Sequence, residues 1–352
     1  MAQEDTTPET KVVINNTEIP PELKVDILEV VVCHYIEGPD SFDLTVNMLN
    51  SENQQLKWID DDYFKPGNKV EIKMGYVDNF ETMIVGEVTA LHAKYFNNEA
   101  ARFNVQGFDK LHRFHRGRKT RSFLQIKDSQ IAERIAQDMG LTPEVDDTEI
   151  VHVYVLQNNL SDIDFLLERA MRIRYEVLVQ GQKLIFRKAA NHLGKTVALE
   201  YMKDLKYFHP RLSTVQQVSK VEVRGWNQTT KEAILGVASS GVETTKMEGS
   251  EIGPEIAESA FGKTTTSIVN IPVDSQAEAE QIAKAKFNDI SIELISGEGE
   301  AVGNMAMRAG SIIELKGLGD RFSGLYYIKR SEHRLTPQIG YITKFDVIRN
   351  AS

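Results

Sequence analysis

The chain has 352 residues, of which 41% are hydrophobic, more than one core needs, so the sequence predicts two or three domains that fold without covalent staples. A formal net charge of −10 excludes a phosphate-binding footprint spread over the whole surface, and leaves room only for a local contact with nucleic acid. The single cysteine, Cys33, excludes an internal disulfide framework and a cysteine-held zinc cluster; beside Val31 and Val32 it reads as buried packing in a reducing compartment.

The opening MAQEDTTPET lacks the basic-then-apolar layout of a secretory leader, and no apolar run approaches the roughly 20 residues that span a bilayer. The expectation is a soluble protein made in the cytoplasm, without membrane insertion, and carried onward as part of a larger object.

Residues 1–24 read as an N-terminal arm. From 25 to 115 the pattern is antiparallel sheet: Phe42, Leu44, Val46 and Met48 alternate with polar residues, as do Val70, Ile72 and Met74, and later Phe103 and Val105. Turn chemistry separates these runs at GPDS, KPGN and FNNEA. Next comes HRFHRGRKTRSF (112–123), five fixed positive charges and two histidines in an acidic chain. The period then changes, and 116–195 reads as an inserted α+β domain. Asp128 or Ser129 caps a helix carrying Ile131, Ile135 and Met139 and stopped by Gly140; Ser161 and Asp164 form a capping box for a second helix; YEVLVQGQKLIFRK is a hairpin around Gly181.

Strand pattern returns over 196–237, the expected start of a second barrel, with Val221 and Val223 on one face. Residues 238–270 are rich in Gly, Ser, Thr and Glu with little periodicity and read as a flexible connection with at most a short helix. In 271–300 a helix is well marked, with Ser275 and Glu278 as a capping box, Glu280 able to pair with Lys284, and Ile282 and Phe287 inward. Residues 301–352 complete the second barrel.

An internal repeat underlies that division. Gly67, Val70, Glu71, Ile72 and Lys73 match Gly310, Ile313, Glu314, Leu315 and Lys316; downstream, Val85-Gly86 to Val88 is set against Ser323-Gly324 to Tyr326, and Phe103–Gly107 against Thr343–Val347. One small β-barrel thus occurs twice, with helices and a hairpin between the copies. Three such chains closed by cyclic symmetry would present six quasi-equivalent barrels to a sixfold partner.

Catalytic and ligand-binding patterns are thin. His112 and His115 sit at a strand end without cysteine or a carboxylate at a diagnostic offset, and Asp60, Asp61 and Asp62 lack the glycine and distal glutamate of a calcium loop. SGEGEAVG and GLGDRFSG have the wrong lengths for phosphate-binding fingerprints, no Gly-x-Ser-x-Gly occurs, and Asp162 and Asp164 are explained by capping. No cofactor, metal or catalytic residue is expected. For the basic segment three readings stand: a nucleic-acid grip, which Phe114 and Phe123 support weakly; a solvated turn; or a charged seam against an acidic surface of a neighbouring chain.

The ordered run VQGFDKLHRFHRGRKTRSF, DSQIAERIAQDMGL, VLQNNLSDIDFLLERA, YFHPRLSTVQQVSKVEVRGWN, AEAEQIAKAKF, GEGEAVGN and RAGSIIELKGLGDRFSGLYYIKRSEHRLTPQIGYITKFDVIR resembles the phage late-control D protein family. That family includes the baseplate hubs of contractile-tailed phages and the amino-terminal part of VgrG spikes, and the resemblance runs from about residue 25 to the end. It implies a mainly β fold with α insertions: two tandem barrels per chain, accessory helical and hairpin domains, and a homotrimer forming a pseudo-hexameric ring. The implied partners are a threefold spike or needle protein, the inner tube protein and other baseplate proteins, on the central axis of a phage virion or injection particle; Gln157, Ser161, Asp162, Phe165 and Leu166 fall on the family's helix-start motif in structural roles. VgrG-type proteins continue into an oligonucleotide-fold domain and a β-helical needle. Here the expectation is a needle on a separate polypeptide, or on a portion beyond Ser352.

On that basis the basic segment resolves toward the seam, with Arg113, Arg116, Arg118, Lys119 and Arg121 as candidate contacts to a neighbouring subunit, tube or spike. The alternative of another class is a cell-envelope glycan-binding or muralytic protein, which needs a cleft with two converging carboxylates.

Overall fold

A computed structural model describes residues 7–50, 55–97, 99–190, 194 and 196–352. The expected turn at 96–100 and the expected arm at 1–24 therefore fall partly, at Asn98 and at residues 1–6, outside the described residues. The fold is mainly β with α insertions.

The first unit contains β1 (Pro8–Ile14), β2 (Thr17–Glu18), α1 (Pro21–Asp26), β3 (Ile27–Tyr35), β4 (Ser41–Asn47), β5 (Lys69–Tyr76), β6 (Asn79–Lys94) and β7 (Arg102–Asp109). Its strands are antiparallel in the order β3-β4-β7-β6-β5-β1-β2. The inward residues of the alternating runs, among them Phe42, Leu44, Val70, Ile72, Met74, Phe103 and Val105, form one core. The expected arm is part of it. Val12, Ile14, Ile19 and Leu23 are buried in that core, and β1 pairs with β5 over seven residues before turning back through Asn15 and Asn16, both at positive φ, in a two-residue hairpin.

A 3₁₀ turn at Lys110–His115 leads to an inserted unit of β8 (Lys119–Ile126), α2 (Asp128–Asp138), β9 (Thr142–Val145), β10 (His152–Leu160), α3 (Asp162–Ile173), β11 (Tyr175–Gln180) and β12 (Lys183–Lys188). Two small sheets, β8-β10 and β11-β12-β9, enclose Ile131, Ile135, Phe165, Leu166, Val177 and Phe186. Ser161 caps α3, its Oγ accepting the Asp164 N–H at 3.1 Å, and Gly181 occupies the left-handed region in the β11–β12 turn. Asp128 does not cap α2: the cap position is Lys127, whose N–H donates to Gln130, while the Asp128 carboxylate is consumed by Arg169 and His152.

After β13 (Val197–Glu200) and β14 (Leu205–Leu212), the chain departs from the expected second barrel. β15 (Lys220–Asn227), β16 (Glu232–Ser239), α4 (Gly253–Phe261), β17 (Thr265–Ile268) and α5 (Gln276–Ile292) follow. β15, β16 and β17 form their own three-stranded sheet, covered by α5 around Val221, Val223, Ile234, Ile282 and Phe287. Ser275 Oγ accepts the Glu278 N–H at the start of α5, but the Glu278 carboxylate accepts from Asp274 N–H and Arg172 and does not close the box, and Glu280 accepts from Gln276. Nor is 238–270 a loose connection: Met247 and Ile252 are buried, β17 adds in parallel to β15, and Ser250 and Glu251 bond the backbone of Ser352. Its anchors are single apolar residues without a period.

The remaining elements are β18 (Ile295–Val302), β19 (Ile312–Lys316), α6 (Gly319–Phe322), β20 (Gly324–Thr336) and β21 (Gly340–Arg349). With β14 they make a second antiparallel unit in the order β14-β18-β21-β20-β19, β13 flanking β19. In chain order and sheet order this repeats β3-β4-β7-β6-β5. Details repeat as well. Gly67 and Val88 exchange backbone bonds as Gly67 N–H to Val88 O at 2.8 Å and Val88 N–H to Asn68 O at 2.9 Å; Gly310 and Ile328 do so as Gly310 N–H to Ile328 O and Ile328 N–H to Ser311 O, both at 2.9 Å. A bulge follows at Thr89 in one copy and at Lys329 in the other, and another at Leu28 and at Lys206. One part of the sequence alignment slips by two residues: Val70 faces Gly86, whereas its counterpart Ile313 faces Tyr326, so Gly324 is not the equivalent of Gly86. Glycine carries no side chain to fix a register, and here it misleads. The second half of β20 pairs with β3, fusing both units into one 13-stranded sheet.

Candidate assembly surface

The basic segment lies where β7 gives way to the inserted unit. Arg113 clamps Glu87 of β6 with Nε at 2.7 Å and Nη2 at 2.5 Å, and His112 Nε2 lies 3.0 Å from the same carboxylate. Burial pushes Glu87 upward, but the hydrogen bonds from Arg113 and His112 outweigh it and hold the carboxyl below its usual range. Lys119 and Arg121 both reach buried Asp162, at 2.6 and 2.9 Å, and Arg121 also donates to Gln157 and Asp138 while its guanidinium lies over the Phe123 ring. Arg118 donates to the Asn159 carbonyl at 3.0 Å. Arg116 is exposed and has no side-chain partner among the described residues.

The segment is therefore a seam within the chain, tying β6 of the first unit to β8, β10 and α3 of the insert. Three of the five candidate charges are matched to carboxylates and Arg118 to a carbonyl, while Arg113, Arg116 and Arg118 remain exposed.

A second seam joins the two repeated units along β3 and β20. His34 and His333 are both buried here, their rings 5.3 Å apart edge to face. Each Nε2 faces a carbonyl oxygen, of Met83 at 2.9 Å and Met307 at 3.0 Å, so Nε2 carries the proton in both. Each Nδ1 then accepts from a hydroxyl: Ser331 at 3.3 Å for His34, Tyr341 at 2.8 Å for His333. Burial, with the Arg308 charge nearby, brings His34 down to about 4 and His333 well below its ordinary value. Beside them Asp40 and Asp109 converge. Burial raises both carboxyls, Asp109 to about 7, and the Asp109 charge pushes Asp40 up further. Asp109 accepts the N–H groups of Asp40 and Leu111, and Asp40 accepts that of Tyr35. This is the converging pair that a muralytic reading asks for, but the adjoining cavity is about 200 Å³, below the range of ligand sites, and the carboxyls are spent on backbone donors.

The sequence reading passed over two open strand edges. β6 outruns β5: residues 88–94 pair with β7 on one side and with no described strand on the other, and Leu91, His92, Ala93 and Lys94 are exposed, with Tyr95 and Phe96 exposed just beyond. β14 is the outer strand at the other end of the sheet. The readable signal was length: sixteen residues in β6 against eight in β5 and β7.

The family model described as the Alg8 N-terminal domain matches residues 4–337. The chain belongs to that family. No curated protein matches the chain in sequence. Among solved structures, it is similar to the 43 kDa tail protein of prophage MuSo2 from Shewanella oneidensis, at 15% identity over 97% of this chain and 98% of the other, with a TM-score of 0.72. The tail protein of Neisseria meningitidis MC58 aligns at 9% identity over 97% of each chain with a TM-score of 0.69. The E. coli c3393 protein, described as a type VI secretion component structurally similar to T4 tail proteins gp27 and gp5, aligns at 11% identity over 97% of this chain and 77% of the other, TM-score 0.62. The fold of this chain is thus that of phage tail and type VI secretion proteins, in line with the resemblance carried by the sequence segments.

Proposed function

We propose that this chain is the structural baseplate hub of a contractile injection system or phage tail: a homotrimer whose six repeated β-barrel units adapt a threefold central spike to a sixfold inner tube. The observation that carries this reading is the repeat itself. Two units of one strand order, with the same turn bonds and the same bulges, stand in a single chain. Three chains then supply six nearly equal faces at one rim while the remaining features stay threefold. The work is done by shape, without a catalytic group. Partners are the spike or needle protein, the inner tube protein and other baseplate proteins, on the axis of the particle; the likeness in fold to a chain of a Francisella PdpA–VgrG complex, TM-score 0.53, supports a partner of the VgrG kind. Arg116, exposed at the edge of the internal seam, is the candidate contact to a neighbour, and Arg116→Glu should weaken ring formation or tube docking without unfolding the chain.

Native mass spectrometry tests the reading. A species at three times 39.7 kDa, with sixfold-like top views by electron microscopy, is expected. A chain that stays monomeric at every concentration and in the presence of its tube protein refutes it.

A further inference from the structure

The internal seam between the repeated units has a counterpart that is left open. Within the chain, residues 330–335 of β20 pair antiparallel with Val30–Tyr35 of β3: Ser331 with His34, Glu332 with Cys33, His333 with Val32 and Arg334 with Val31. Matched bulges and ladders make Leu91, His92, Ala93 and Lys94 of β6 the equivalents of Ser331, Glu332, His333 and Arg334, and Val31, Val32, Cys33 and His34 of β3 the equivalents of His209, Pro210, Arg211 and Leu212 of β14. The same two surfaces occur again, with no strand against them among the described residues, at β6 and β14. We infer that the open outer edge of β6 takes β14 of a second copy of this chain, antiparallel and in the register of the internal seam, with His92 opposite Arg211 and Leu91 opposite Leu212. This rests on the ring reading and names its subunit joint: three internal seams and three seams between chains alternate around the ring.

Burial supports the match. Ser331 and His333 are 0% exposed in the internal seam, whereas Leu91 is 37% exposed and Ala93 is exposed. Exposed Tyr95 continues the β6 edge and would meet Phe208. Backbone direction agrees too. Ser213 N–H donates to Leu294 O on the β18 side, so by alternation the groups of Phe208, Pro210 and Leu212 face the open edge, as those of Val30, Val32 and His34 face β20, where Ile36 N–H donates to Lys329 O. Pro210 removes one donor from this edge. It leaves the joint one hydrogen bond short of the internal seam and blunts the strand against indiscriminate pairing.

The test is a cysteine pair, His92→Cys with Arg211→Cys, in the full chain. These positions correspond to the facing pair Glu332 and Cys33, where Cα atoms sit about 4.5 Å apart, within disulfide range. Under mild oxidation the double variant should give disulfide-linked dimers and trimers, roughly tenfold faster than His92→Cys with His209→Cys, which is out of register. Either single variant should give none. A trimer by native mass without these links overturns the joint and leaves the ring reading standing; links in the out-of-register pair overturn the register. A persistent monomer overturns the ring and the joint together. Pro210→Val is an independent arm. Restoring the donor should tighten assembly about fivefold, and unchanged or weaker assembly counts against the joint.

Discussion

Acidification should act on the seam between the repeated units through two opposed sets of groups. His34 titrates near 6.5 when unfolded and near 4 when folded, because burial and the Arg308 charge disfavour its cation by more than the Met83 carbonyl favours it. Its contribution is complete above pH 6.5 and is lost as pH falls from there toward 4; by pH 5 the loss is about 2 kcal/mol. His333 works in the same direction. The Asp40 carboxylate lies 3.9 Å from His34 Nε2, but it and Asp109 are themselves pushed toward the neutral form. With Asp109 raised to about 7, folding gains stability as pH falls through 7, by roughly 2–3 kcal/mol between pH 8 and 5, a term similar in size and opposite in sign. The wild-type curve should therefore be nearly flat over that window. His34→Gln, which keeps a donor for the Met83 carbonyl, should gain stability on acidification, and Asp109→Asn should lose it. Urea unfolding followed by the fluorescence of Trp58, which sits in the first unit bonded to Asp26, reads the difference. Parallel pH profiles for wild type and His34→Gln would refute the reasoning.

Other expectations concern packing and pairing. Gly236 lets α5 lie on β16: a Cβ there would stand 2.1 Å from the Ala279 backbone, so Gly236→Ala should strip α5 from its sheet, seen as a lowered Tm and protease cleavage near residues 240–275. Asp128 and Arg169, 2% and 6% exposed, form a two-pronged bond; Asp128→Ala should cost about 3–5 kcal/mol by stranding the guanidinium, whereas Asp128→Leu with Arg169→Leu should recover much of it in thermal unfolding. Gly67 and Gly310 hold the same turn at φ of 91° and 79°; Gly67→Ala should cost about 1 kcal/mol, and Gly310→Ala more, since its Cβ would meet Arg187 at 2.7 Å, as equilibrium unfolding would register.

What the sequence discloses and what it conceals follow from the range of the interactions involved. Alternation at Phe42–Met48 and Val70–Met74, the cap at Ser161 and the turn at Gly181 are local, and each stands where its pattern puts it. The repeat is legible because its shared turn needs a glycine at positive φ, at Gly67 and Gly310, followed by an apolar-Glu-apolar strand. Association across distance is not written locally. β14 and β18 belong to the second unit, yet the chain between them builds a separate sheet and helix with its own core, so the strand pattern at Val221 and Val223 invited assignment to the wrong layer. The basic segment shows the same limit: three of its charges are answered by Glu87, Asp138 and Asp162, which lie between 17 and 43 residues away, partners that no local pattern announces. An open strand edge has no side-chain signature, because its N–H and C=O groups are the same in every residue but proline; only the repeat, by showing one such edge already filled at β3 and β20, says what should fill the other.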